Sequence, residues 1–322
     1  MMWYKSDMDI SPLISRVARG KNGSENLTQE EARAVFLQLL TPDADALQLG
    51  AFLIAQRMKG ETSNELAGFV EAARSRMGGF GATVSPAGAV DLPCYAGKRR
   101  AAHAYLAAAL KARDAGVPVF VHGVEQIEGR VTAWQVLQAA GVKRAVTLAE
   151  AASLLGHEGI VYVDLADLCP DLFRIYHLRP RLGVRSFANS VARLLNPLQC
   201  EGQLNGFFHT PYADYMSGAN MLLGQERSLI FMGAEGEPEL YADRQKIIAK
   251  QQGDKTTRVR YREAGLDPYP REALDLSLLQ QQNSAIMTGV LSGREAAVMQ
   301  RMGQAFTWAS KGVFPEDWSE EV

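Results

Sequence analysis

The chain has 322 residues, 47% hydrophobic and 22% charged, with 34 Lys and Arg against 36 Asp and Glu. That is ordinary globular composition, which excludes a fibrous or disordered chain, and the length suits about two domains with a core that needs no staples. A formal net charge of −2 argues, on the average, against a nucleic-acid binder.

The first elements are helical. Ile10, Leu13, Ile14 and Val17 recur at helical spacing before Gly20 and Gly23 interrupt. Thr28 is placed to cap a second helix, with Glu30 and Glu31 in its first turn and Ala32, Val35, Phe36, Leu39 and Leu40 as its apolar stripe. Leu47–Met58 is a third, nearly apolar through its centre; Gly60 stops it, and Thr62 caps a fourth running to Met77. Four short helices predict an all-helical lobe. The turn-rich stretch MGGFGATVSPAGAV marks a boundary at Gly78.

Strands and helices then alternate. Ala101–Ala115, Thr132–Ala140 and Leu148–Leu155 read as helices, and Val117–Val121 and Ile160–Val163 as short buried strands, which predicts a parallel α/β sheet. Residues 168–195 turn helical and Arg-rich. Ser228–Met232 and Thr257–Tyr261 read as strands, and Leu274–Met302 as C-terminal helices.

Cys94, Cys169 and Cys200 are odd in number and far apart, so no disulfide or zinc framework follows, and a reducing compartment, the cytoplasm, is expected. The start, MMWYKSDMDISPL, lacks a signal-peptide pattern, and no apolar run approaches the roughly 18 residues of a membrane span, so no membrane partner is expected. His157, His177 and His209 have no His or Cys at ligand spacing. Gly79-Phe80-Gly81 lacks the strand-turn-helix context of a dinucleotide fingerprint.

The charge is unevenly spread. Leu92–Arg113 holds five bases and no acid, Leu172–Cys200 five arginines and no acid, and Arg244–Arg262 seven bases and one acid, Asp254. These windows carry half of all the Lys and Arg.

Three stretches carry a resemblance: LTQEEARAVF with LQLGAFLIAQRMKGETSNELAGFVEAAR, then RPRLGVRSFANSVARLLNPL, then NSAIMTGVLSGREAAV. With VPVFVHG they resemble, in consistent order, the anthranilate phosphoribosyltransferase family of the glycosyltransferase family 3 fold. The resemblance implies an α/β fold with a mostly parallel sheet. A small helical domain (1–78) is completed by the inserted segment 168–200, and a larger α/β domain spans 79–167 and 201–322. It also implies a homodimer through the helical domain and an active cleft between domains.

The family's catalytic motifs are altered. Its Gly-Thr-Gly-Gly-Asp loop lets backbone amides cradle pyrophosphate; here Cys94-Tyr95-Ala96-Gly97-Lys98-Arg99-Arg100 stands instead. Its Lys-His-Gly-Asn becomes Val121-His122-Gly123-Val124, and the Ser-rich phosphate contacts that follow become EQIEGR. Its magnesium-holding Asp-Glu becomes Pro238-Glu239, with Glu237 alongside. Arg179 and Arg185 fall on motif arginines, and Arg181 stands where the enzymes usually carry a non-basic residue. The Tyr95–Arg99, Val121–Val124 and Arg179–Arg185 patterns are similar to a divergent, YbiB-like branch that binds nucleic acid.

The leading expectation is therefore a homodimer that binds nucleic acid through phosphates, without a cofactor. Lys98, Arg99 and Arg100 would grip phosphates at a helix start, the bland alternative being a solvated turn. Arg174, Arg179, Arg181 and Arg185, read as one helical stretch and its cap, would line the cleft, or else pair with acids of the helical lobe. Arg258, Arg260 and Arg262 alternate with Val259 and Tyr261, which gives a cationic row or a charge-protected edge strand. Tyr95, Tyr261 and Tyr269 are candidates to stack on bases. His122 is read first as a structural histidine. The alternative expectation is a phosphoribosyl or glycosyl transferase with an altered donor site, in which His122 and Glu239 act in catalysis and Glu237 and Glu239 hold magnesium.

Overall fold

The computed structural model describes residues 9–20, 22–207, 212–315, 318 and 320–321. Helices α1 (Ser11–Ala18), α2 (Gln29–Leu39), α3 (Ala46–Lys59) and α4 (Ser63–Ser75) come first. Thr28 and Thr62 each close a capping box: the threonine hydroxyl accepts from the amide of Glu31 or Glu65, and that glutamate accepts from the cap amide. Gly60, at φ 86°, ends α3. α2 and α4 touch backbone to backbone at Gly68, where a Cβ would lie 2.2 Å from the Gln29 carbonyl oxygen. Thr28→Ala should lower unfolding free energy by about 1 kcal/mol, read from the urea midpoint at unchanged slope.

The chain then alternates: β1 (Val90–Cys94), α5 (Ala104–Asp114), β2 (Val119–Gly123), α6 (Ala133–Ala139), β3 (Arg144–Ala145), α7 (Leu148–Glu158) and β4 (Ile160–Asp164). Four short helices follow, α8 (Leu165–Leu168), α9 (Pro170–Tyr176), α10 (Arg179–Leu182) and α11 (Ala188–Arg193). Then come β5 (Gly202–Phe207), α12 (Tyr212–Leu222), β6 (Arg227–Met232), β7 (Lys246–Gln252), β8 (Lys255–Tyr261), α13 (Leu276–Met287), α14 (Gly293–Lys311) and β9 (Glu320–Glu321). The strands form one sheet in the order β3-β4-β2-β1-β5-β6-β7-β8-β9. β1 to β6 run parallel and β7 to β9 antiparallel. This is the expected small helical domain with a larger, mostly parallel α/β domain.

Strand order reverses at β1, with β2 on one side and β5 on the other. Ligands of parallel sheets sit beyond the carboxyl ends of strands at such a reversal. β5 carries no strand signal in the sequence, because GQLNGF lacks alternation. Its polar residues are buried instead: the Gln203 amide donates to Asp91 Oδ2 at 2.8 Å, and Asn205 and Asn220 donate to Gln203 Oε1.

The segment after β4 packs into the N-terminal helices. Phe187 stacks on Phe69 with centroids 4.2 Å apart and meets Phe36 and Phe52 edge-on. One expectation is corrected here. Arg174 to Arg185 do not share a helix, because Gly183, at φ 74°, ends α10 and leaves Arg185 in the following loop. Among the described residues no helix is long and apolar enough to cross a membrane.

Candidate functional site

The loop after β1 forms an anion nest, and the chain fills it itself. Gly97 takes φ 61°, which turns successive amides inward. The Ala96 amide donates to Glu237 Oε1 at 2.9 Å and the Gly97 amide donates to the same oxygen. Glu237 comes from the turn after β6, where Gly206 and Gly233 allow close backbone approach; a Cβ on Gly233 would lie 1.7 Å from the Glu237 carbonyl oxygen. Burial pushes the Glu237 carboxyl above its usual range, opposed chiefly by Arg193 and the two amides. Its Oε2 is buried without a hydrogen-bond partner.

Lys98 corrects the central sequence expectation. Its side chain is fully buried, donates to the Ala102 carbonyl at 2.6 Å and pairs with Glu239, itself buried. An ammonium enclosed with its own carboxylate does not reach a phosphate. Glu235, at φ 55°, accepts from the amides of Arg99 and Arg100 and from the Tyr269 hydroxyl, so the loop's backbone donors are spent as well. The Arg99 side chain stays exposed and that of Arg100 is half-buried. Glu237 and Glu239 do not fit a magnesium site as placed, since one is held by amides and the other by Lys98. Among the described residues no group of three or more His, Cys, Asp or Glu could hold a metal ion.

What remains open is an arginine cleft at the carboxyl end of β5. It encloses about 230 Å³ and is lined by Arg57, Arg179, Arg185 and Arg193 with Asn189, Ser190, Gly206, Tyr212 and Gly236. Arg193 is a clamp: it donates to the carbonyls of Asn189 and Gly236 and lies 5.9 Å over the Tyr95 ring. Arg130, beside the cleft, donates to the Gly97 carbonyl and lies 3.8 Å from Glu235. Among the described residues Arg57, Arg179, Arg181 and Arg185 form no ion pair. Burial and the fields of Arg193, Arg179 and Arg130 push the Arg185 guanidinium below its usual range. Like charges gathered in a cleft are costly until an anion neutralises them.

Other expected contacts are spoken for. Arg174 donates to the carbonyls of Leu39, Leu40 and Thr41 at the end of α2, a structural role rather than a cleft one. Arg258 and Arg260 are exposed on β8 as the alternation predicts, but Arg258 pairs with Asp214, and Arg262 lies past the strand. β8 lies between β7 and β9 rather than at the sheet edge. Tyr95, Tyr261 and Tyr269 are corrected as stacking platforms. Tyr95 and Tyr261 are buried, and their hydroxyls meet His122 and Glu263; that of Tyr269 donates to Glu235. His122 is fully buried, with Nδ1 2.7 Å from the Tyr95 hydroxyl and Nε2 3.1 Å from Asp91 Oδ1. That is a buried histidine held by the Tyr95 hydroxyl on one side, its Nε2 facing Asp91 Oδ1 without a hydrogen bond on the other. His209 lies outside the described residues. Arg193 belongs to the acid-free arginine window of Leu172–Cys200, whereas Arg57 and Arg130 carry no signal of their own in the sequence, because they join the cleft only through the packing of α3 and the β2–α6 connection.

The comparisons agree with this architecture. The helical bundle domain of a glycosyl transferase family matches residues 11–77, and that family's a/b domain matches residues 101–313. An uncharacterized protein of Aquifex aeolicus (strain VF5) is 31% identical over 94% of this chain and 91% of its own length. The uncharacterized protein YbiB of Escherichia coli (strain K12) is 30% identical over 74% of each. An anthranilate phosphoribosyltransferase of Rhodopseudomonas palustris (strain BisA53) is 29% identical over 89% of this chain and 83% of its own. Among solved structures, the anthranilate phosphoribosyltransferase of Thermus thermophilus superposes with a TM-score of 0.76 at 22% identity, covering 93% of this chain and 89% of that one. The Saccharomyces cerevisiae enzyme in complex with PRPP and Mg gives 0.68 at 15% identity, covering 89% and 85%. The chain belongs to this glycosyl transferase family, as an anthranilate phosphoribosyltransferase-like member.

Proposed function

We propose that the protein binds nucleic acid through its phosphates in the arginine cleft and does not use phosphoribosyl pyrophosphate as a donor. The observation that carries this reading is paired: Glu237 occupies the loop amides that could cradle a pyrophosphate, while Arg57, Arg179 and Arg185 line the cleft without a direct ion pair, Arg57 within the field of the buried Glu61. Unpaired guanidiniums suit phosphates and carry no base code, so binding tolerates sequence. On this reading a helical unit, 1–78 with 168–200, faces an α/β unit, 79–167 with 201–322, across the cleft. Three buried free thiols support a cytoplasmic location.

The second reading, phosphoribosyl transfer of the anthranilate type, is the one the comparisons favour. The relatives whose names state an activity are anthranilate phosphoribosyltransferases. It requires Glu237 to leave the nest and magnesium to enter. Two titrations of the wild type separate the readings. A fluorescently labelled single-stranded oligonucleotide at low salt should bind, and calorimetry with phosphoribosyl pyrophosphate should show no binding that depends on magnesium. The reverse pattern selects the transferase.

Self-association through the helical unit belongs to the same proposal. Leu47 and Met58 on α3 are each 81% exposed and flank an apolar groove against α1. A second copy covering this face removes them from water. Leu47→Asp with Met58→Asp should shift the mass by light scattering from dimer to monomer. A wild-type monomer at tens of micromolar contradicts the dimer.

A further inference from the structure

A second basic cavity lies apart from the arginine cleft, where three chain segments meet. Arg100 comes from the loop after β1, Arg244 from the turn before β7 and Lys246 from its first residue, and Arg271 from the connection between β8 and α13. The cavity, about 370 Å³, is floored by Met232 and Gly233 at the carboxyl end of β6.

Its walls are tied in place. The Tyr269 amide donates to Asp243 Oδ2 at 3.1 Å, its hydroxyl donates to Glu235 Oε1 at 3.0 Å, and the Leu274 amide donates to the Arg99 carbonyl at 2.8 Å. These bonds also engage the acids, leaving only Asp243 Oδ1 buried without a hydrogen-bond partner. Glu235 serves the Arg99 and Arg100 amides and Tyr269, while Asp243 serves the Tyr269 amide and lies 3.4 Å from Lys246. Three guanidiniums are left. Among the described residues no carboxylate pairs with Arg100, Arg244 or Arg271. Arg100 Nε is buried without a hydrogen-bond partner, and Arg244 reaches only the Met232 sulfur, at 4.0 Å.

Four cations against two engaged carboxylates leave a formal excess of two positive charges. We propose that this cavity is a binding site for the terminal dianion of a phosphate monoester. Planar guanidiniums converging from separate segments suit the three free oxygens of such a group, each able to accept a forked pair of N–H bonds. A backbone phosphodiester carries one charge and two free oxygens and leaves half of the excess unmet. The site uses none of the cleft arginines, so it stands whether or not the cleft binds nucleic acid.

The test is calorimetric titration of the full-length protein with inorganic phosphate and, separately, adenosine 5′-monophosphate. A third arm compares 5′-phosphorylated with 5′-hydroxyl oligonucleotide, which separates a free metabolite from a strand end. The wild type should bind at least one phosphate monoester with submillimolar affinity. Arg244→Ala with Arg271→Ala should weaken it at least tenfold, and Arg179→Ala with Arg185→Ala should leave it unchanged. Arg244 and Arg271 are exposed, so the variant should fold, checked by circular dichroism; if it does not, the single variant Arg271→Gln must show the same direction. No saturable binding of any arm by about 1 mM, or loss in the cleft variant alone, overturns the site.

Discussion

Lys98→Ala is expected to cost about 3–5 kcal/mol of stability, the usual penalty for leaving one partner of a buried ion pair uncompensated. Lys98 and Glu239 are both enclosed, and beyond Lys98 the Glu239 carboxylate has only the Tyr105 amide at 3.3 Å. Burial already pushes the Glu239 carboxyl above its usual range, with Lys98 as the main opposing influence. Remove the ammonium and the carboxyl must take up a proton or draw in water, and either loosens the contact between the β1 loop and the turn after β6. Replacing both partners with apolar groups, Lys98→Met with Glu239→Leu, should recover much of the loss. Urea denaturation of the three variants measures this. A loss under 1 kcal/mol in Lys98→Ala would mean that the side chain faces solvent, returning the loop to the role its sequence advertises.

The second large effect concerns the cleft. Arg179→Ala with Arg185→Ala should lower oligonucleotide affinity by two orders of magnitude or more, since each charge-assisted hydrogen bond contributes roughly 1.5–3 kcal/mol. The loss should be even across base sequences, because phosphates carry none. Stability should move the other way or not at all. Arg185 is held below its normal range by burial and by Arg193, Arg179 and Arg130, so deleting it relieves repulsion in the free protein. A binding residue that is a liability to the fold gives this opposed pair of signs; a structural arginine such as Arg174, anchored on three carbonyls, lowers both. Melting curves beside anisotropy titrations distinguish the two. Equal losses in binding and stability would assign Arg185 to the scaffold.

Much of the architecture was legible because local signals and tertiary structure agree. Thr28, Thr62 and Thr132 start helices where their hydroxyls predict, and the β-branched runs at β2 and β4 are central parallel strands. β5 was illegible because its side chains are satisfied by Asp91 and Asn220, partners remote in sequence. The site was half legible. Arg179 and Arg185 could be placed by motif, but the run Lys98-Arg99-Arg100 misleads. Three adjacent cations look alike in sequence, yet the first turns inward to Glu239, the second outward, and the third toward a different cavity. Glu237 likewise reads as a displaced metal ligand until the positive φ of Gly97 places two amides on its oxygen.

The central claim is that unpaired cleft arginines meet a polyanion. Its most direct test is the salt dependence of oligonucleotide binding to the wild type. Log affinity against log salt should fall with a slope of about −0.7 per phosphate neutralised. Three free arginines therefore give about −2, and Arg179→Ala with Arg185→Ala brings it close to −0.7. A flat line, or the same slope in both proteins, would contradict the account.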